Sequence, residues 1–157
     1  MTLRERIQTD ITTAMRSGEE LRRDTLRMAE SAIYNAEKRE RRTYSDDEVA
    51  AVIAREVKTR RESVEAFTKG GRNDLAAKEA AEIEILSGYL PEQLSEAEIA
   101  SLIEEAIAAT GASGPRDMGK VMGWLSPKTK GRADGKIVSQ QVSAALARAA
   151  GGTGGRA

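Results

Sequence analysis

Apolar residues recur along the chain at intervals of three and four, the spacing that places them on one face of an α-helix. Leu3, Ile7, Ile11 and Met15 form the first such stripe. No segment alternates apolar and polar residues over a length that would predict a strand. The pattern therefore predicts an all-α protein with seven helices, which begin at or beside Thr2, Glu19, Ser45, Asn73, Ser95, Pro115 and Asp134.

The predicted helix ends carry capping signals. Three segments have the capping-box form, in which a hydroxyl accepts from the third helical amide and a Glu side chain accepts from the cap residue's own amide: Thr2–Glu5, Ser45–Glu48 and Ser95–Glu98. Asn73 and Asp134 are suited to cap the fourth and seventh helices. Pro127 is expected to follow the end of the sixth helix, because the residue before a proline is pushed out of the helical conformation.

The spacing of the helices predicts two domains joined at the connection Tyr89–Leu94. Residues 1–90 are expected to form a four-helix bundle-like domain, and residues 91–150 a small three-helix domain. The two halves differ little in charge, since residues 1–90 carry 17 basic and 18 acidic groups and residues 91–157 carry 8 and 7. The glycine-rich segment 151–157 is expected to be a flexible tail.

Composition removes most of the usual catalytic chemistry. The chain has no histidine and no cysteine, which excludes the commonest general base, thiol catalysis and the commonest metal ligands. Gly114–Lys120 matches the start of a phosphate-binding P-loop, but Val121 stands where Ser or Thr is required, and a predicted helix precedes it instead of a strand. Asp46–Glu48 is explained as negative charge at a helix N-terminus. We therefore expect no catalytic residue, no metal site and no cofactor.

One segment of the chain carries a clear net positive charge. Residues 111–139, here called the basic segment, carry six positive and two negative side chains. A basic patch on glycine-rich loops is suited to phosphate backbones, although an ordinary solvated loop would look the same. The candidate RNA-binding residues are Arg116, Lys120, Lys128, Lys130, Arg132 and Lys136.

The placement of these residues can also be predicted. Lys128, Lys130 and Arg132 are expected in an exposed loop before Asp134, with Lys136 in the first turn of the seventh helix. The runs Lys38–Arg42 and Lys58–Arg61 are weaker candidates, better explained as solvated helix surface.

Several ordered blocks resemble the GatB/YqeY family: Arg55–Ser63, Gly71–Leu75, Glu82–Leu86, Tyr89–Leu94, Asp117–Met122 and Ala133–Ser139. The resemblance covers residues from about Leu3 to Leu146 and implies a helical bundle joined to a small helical domain. A similar module forms the tail of the B subunit of glutamine-dependent aspartyl/glutamyl-tRNA amidotransferase, where it is understood to contact tRNA. The family label is a carbon–nitrogen ligase with glutamine as amide donor.

The catalytic parts of that enzyme have no counterpart in 157 residues. The resemblance therefore implies a tRNA-binding accessory module, with an amidotransferase or aminoacyl-tRNA synthetase as a possible partner and no DNA specificity. A protein–protein adaptor without an RNA role is the alternative, and a self-sufficient amidotransferase is disfavoured. With no cysteine, no apolar run long enough for a membrane span and no apolar stretch like that of a signal peptide, a cytoplasmic protein without membrane contacts is expected.

Overall fold

The computed structural model describes residues 1–154, whose regular secondary structure is entirely helical. These residues form seven α-helices: α1 Leu3–Ser17, α2 Glu20–Glu40, α3 Asp46–Lys69, α4 Asn73–Ser87, α5 Glu96–Thr110, α6 Met118–Thr129 and α7 Gly135–Gly154. A 3₁₀ turn, Pro115–Asp117, leads directly into α6. The prediction of an all-α fold is confirmed.

The predicted capping boxes are present at α1, α3 and α5. In α5, for example, the Ser95 hydroxyl accepts from the Glu98 amide at 3.1 Å, and the Glu98 carboxylate accepts from the Ser95 amide at 3.3 Å. α1 and α5 end at Gly18 and Gly111, which have φ values of 76° and 70°. This left-handed conformation is accessible to glycine without steric cost, so these local signals define both ends of each helix.

One predicted cap and one predicted helix boundary differ from the structure. Asn73 is the first residue of α4 and does not cap it, since Arg72 occupies the cap position without a side-chain hydrogen bond. Pro127 lies inside α6, and the prediction that the helix ends before it is wrong. The Lys130 amide still donates to the Ser126 carbonyl at 3.0 Å, and the added turn buries Thr129 on the same face as Leu125. Burial of that face stabilises one more helical turn and outweighs the tendency of proline to push the preceding residue out of the helical conformation.

The end of the chain also differs. A flexible tail is predicted from Gly151, whereas α7 continues to Gly154. Residues 155–157 of the predicted tail lie outside the described residues.

The chain divides into two compact units, Met1–Pro91 and Glu92–Ala157. In the first unit, α1–α4 enclose a core whose largest fully buried members are Ile7, Leu26, Ile33, Ile53 and Leu86. In the second unit, α5–α7 pack around a core of Ile99, Ile103, Val121, Leu125, Val138, Val142 and Leu146. Each unit thus has its own hydrophobic core.

A buried ion pair joins α3 to α4 in the first unit. Arg60 Nε donates to Glu82 Oε2 at 2.9 Å, and the two side chains are only 8% and 7% exposed. Arg60 Nη1 also donates to Glu56 Oε2 at 2.8 Å, within α3. Arg60 is therefore a structural residue, which removes it from the weaker surface patch predicted at Lys58–Arg61.

We expect Glu82→Gln to lower the free energy of unfolding by about 3 kcal/mol, because it leaves the buried Arg60 charge with one carboxylate partner instead of two. Urea denaturation of the full chain measures this loss. Glu84→Gln is the matched control, since Glu84 is exposed two residues away on the same helix. Equal losses for the two variants would show that the ion pair has no special role.

Thr25 offers a stabilising substitution. Its side chain is fully buried, and its hydroxyl has no hydrogen-bond partner within the described residues. Thr25→Val keeps the branched shape and removes the unpaired hydroxyl, so we expect a gain of about 1 kcal/mol in unfolding free energy. The exposed Thr13, whose hydroxyl donates to the Thr9 carbonyl, should show little change as Thr13→Val. A thermal melting temperature that falls for Thr25→Val would contradict this account.

Candidate nucleic-acid interface

The six candidate cations come from consecutive parts of the second unit. Arg116 lies on the 3₁₀ turn, Lys120 and Lys128 lie on α6, and Lys130 follows the last residue of α6. Arg132 lies in the connection to α7, and Lys136 is the second residue of α7. All are exposed except Arg132, which is half-buried. The prediction that Lys128 lies in a loop is wrong, because α6 extends past Pro127.

The two acids of the basic segment are bound to backbone amides. Asp117 Oδ2 accepts from the Ser113 amide at 2.8 Å, and this hydrogen bond holds the pKa of the Asp117 carboxyl below its usual value. Asp134 Oδ1 accepts from the Lys136 amide at 2.9 Å, which confirms the predicted cap of α7. Lys120 Nζ lies 3.9 Å from Asp117 Oδ1, a long contact on a side chain that is 69% exposed. Neither acid therefore forms a close ion pair with the cations of the segment, which outnumber the acids six to two.

Five of the six cations, all except Lys120, have no carboxylate partner among residues 1–154. Of these five, Arg116, Lys130 and Lys136 also form no side-chain hydrogen bond or ring contact there. The Lys128 ammonium lies over the ring of Trp124, 4.1 Å from its centroid, one helical turn away. The sequence analysis does not predict this cation–π contact, because it places the end of the sixth helix before Pro127. Within a continuous helix, a spacing of four residues would indicate such a contact. The basic segment thus presents positive charge that its own carboxylates leave largely uncompensated.

Arg132 has a different role from the other cations. Its Nε donates to the Glu92 carbonyl at 3.0 Å, and its own carbonyl accepts from the Leu94 amide at 2.8 Å. Gln93 Nε2 donates to the Gly131 carbonyl at 3.0 Å beside it. These bonds fasten the α6–α7 connection to the segment that precedes α5. Arg132 therefore fixes the backbone that presents its lysine neighbours.

The six candidate side chains of the basic segment end in guanidinium or ammonium groups, a chemistry suited to phosphates. Within the described part of the chain, no three acidic side chains are grouped as a metal site would require. No helix among those residues is long and apolar enough to cross a membrane.

Comparison with known proteins gives the family. The model of a family described as "Yqey-like protein" matches residues 4–146. The protein named "Altered inheritance of mitochondria protein 41, mitochondrial" from Pyrenophora tritici-repentis is 34% identical over 140 residues, which cover 87% of this chain and 77% of the relative. The protein of the same name from Lachancea thermotolerans is 27% identical over 143 residues, covering 87% of this chain and 76% of the relative.

The names of these relatives bear on two expectations. Both relatives are named as mitochondrial proteins, which contradicts the expectation of a cytoplasmic protein. Neither name mentions tRNA or an amidotransferase.

The family match extends through both units and over nearly all the helices described above. The chain therefore belongs to the YqeY-like family.

Proposed function

We propose that this chain is a tRNA-binding accessory module that contacts RNA through the basic segment of its second unit. The observation that carries the proposal is the exposed positive charge of Arg116, Lys130 and Lys136, which have no carboxylate partner among the described residues. The resemblance to the tail of the amidotransferase B subunit, a part understood to contact tRNA, supports RNA as the anion.

The chemistry of the surface favours contacts with the phosphate backbone over reading of bases. Single-stranded RNA is usually held by stacking on exposed aromatic rings. The basic segment has one aromatic residue, Trp124, which is half-buried and covered by Lys128. Recognition would then depend on the shape and charge of a folded RNA, and binding would weaken as salt rises, because phosphate contacts release bound counterions.

The module would act together with a catalytic partner. The carbon–nitrogen ligase activity of the family label needs groups that activate a carboxylate and release ammonia. The two acids of the basic segment are bound to backbone amides, and its other charged groups are cations. An amidotransferase or an aminoacyl-tRNA synthetase would provide that chemistry. In this arrangement the chain holds or orients the tRNA.

The proposal predicts that the triple variant Lys128→Gln, Lys130→Gln, Lys136→Gln binds unfractionated tRNA more weakly. Each lysine that contacts a phosphate contributes about one to the slope of log affinity against log salt concentration, so we expect that slope to fall by about two to three. Filter binding over a series of salt concentrations measures both quantities.

The matched control is Lys38→Gln, Lys58→Gln, Lys78→Gln, which removes the same charge from three exposed lysines of the first unit. Its affinity and salt slope should stay close to those of the wild type. If the two triple variants lose affinity equally, the basic segment is not the contact surface. If the wild-type chain has no measurable affinity for tRNA at low salt, the proposed function is wrong.

The structure also separates a positioning residue from an RNA contact. Arg132→Ala removes the hydrogen bond to the Glu92 carbonyl and should lower the free energy of unfolding by about 1 kcal/mol. Lys130→Ala, two residues away and exposed, should stay within about 0.5 kcal/mol of the wild type. Denaturant unfolding of both variants tests this, and a stable Arg132→Ala variant would show that the other hydrogen bonds hold the connection without the Arg132 side chain.

A further inference from the structure

Most acidic residues of the second unit lie outside the basic segment, on α5 and just before it. Residues 92–115 contain five glutamates and no lysine or arginine. Four of these glutamates are on α5, and all four are exposed. Glu96, Glu104 and Glu105 form no ion pair within the described part of the chain. Helix α5 is therefore an acidic surface without internal compensation.

An apolar groove lies between α5 and α7 beside these carboxylates. It has a volume of about 300 Å³, and its apolar lining residues include Ile103, Ile107 and Ala144, with the polar Gln141 beside them. Glu96 and Glu104 line it from α5, and Arg148 lines it from α7. Ala144 is exposed, so the groove is open to a side chain inserted from outside.

The groove has the chemistry of a helix-binding site. An amphipathic helix binds a groove of this kind by inserting apolar side chains spaced three and four residues apart, while its polar face meets the rim. The rim here carries two carboxylates against one guanidinium, and the adjoining Glu105 adds further negative charge. Nucleic acid would be repelled by this surface, whereas a lysine- or arginine-rich helix would be attracted to it.

We propose that the α5–α7 groove is a docking site for a basic amphipathic helix of a partner protein. The partner's apolar residues enter between Ile107 and Ala144, and its basic residues pair with Glu96 and Glu104. This site is separate in residues and opposite in charge to the proposed RNA surface. The protein would thus hold RNA on one surface and a protein on another, and the docking site does not depend on the proposed RNA role.

The experiment uses the full chain and a fluorescent synthetic peptide of 15 residues, built from leucine, lysine and alanine as an amphipathic helix. Fluorescence anisotropy at low salt gives its dissociation constant. A peptide of the same composition in scrambled order controls for charge alone, because it cannot present its leucines on one face. We expect the amphipathic peptide to bind and the scrambled peptide to bind at least several-fold more weakly.

Two pairs of variants locate the site. Glu104→Gln should weaken binding about threefold, the range of an exposed ion pair. Glu105→Gln removes the same charge from the next residue of α5, outside the groove lining, and should have a smaller effect.

The second pair tests the shape of the groove. Ala144→Phe places a ring in the groove and should weaken binding about tenfold. Ala147→Phe makes the same change at an exposed position of α7 outside the lining and should leave binding unchanged.

Three results would overturn the proposal. The first is equal binding of the amphipathic and scrambled peptides, which would show attraction by charge alone. The second is equal behaviour of the two members of each variant pair. The third is self-association of the chain in sedimentation analysis that Ala144→Phe abolishes and Ala147→Phe does not, because the occupant would then be the basic segment of a second copy.

Discussion

The first backbone amides of a helix have no partner within the helix, and this chain satisfies many of them with its own hydroxyl and carboxylate side chains. In the second unit, Ser95 and Glu98 cap α5 reciprocally, and Asp134 caps α7. Asp117 binds the Ser113 amide in the turn before α6. Asp117 and Asp134 are the only acids of the basic segment, so its six cations stand against two carboxylates that also hold backbone amides.

This constraint links the fold to the proposed function. The lysines of the basic segment lie on or beside α6 and α7. Arg132 binds the Glu92 carbonyl and so fixes the connection between these two helices. Four of the five glutamates of the unit lie on α5, and two of these, Glu96 and Glu104, line the groove between α5 and α7. The second unit thereby carries two surfaces of opposite sign, one suited to phosphates and one to a basic protein helix.

The sequence predicted those features whose determinants lie within about one helical turn. The Ser95–Glu98 capping box was read correctly because both partners are three residues apart. The extension of α6 past Pro127 was missed, since it depends on packing of Thr129 in the core of the unit. The bonds of Arg132 to Glu92 and of Arg60 to Glu82 join residues 40 and 22 positions apart. No local spacing rule identifies such partners, so the sequence alone predicts surface charge for both arginines.

The central claim is that RNA contacts the second unit through its basic segment and avoids α5. Titration of the isotopically labelled full chain with tRNA at low salt, followed by amide chemical shifts in NMR spectra, tests it most directly. The account predicts shifts and broadening concentrated at residues 116–136, with small changes along Glu96–Thr110 and in the first unit, all reversed by added salt. Perturbations centred on α5 or on α1–α4, or none at a tRNA excess, would contradict it.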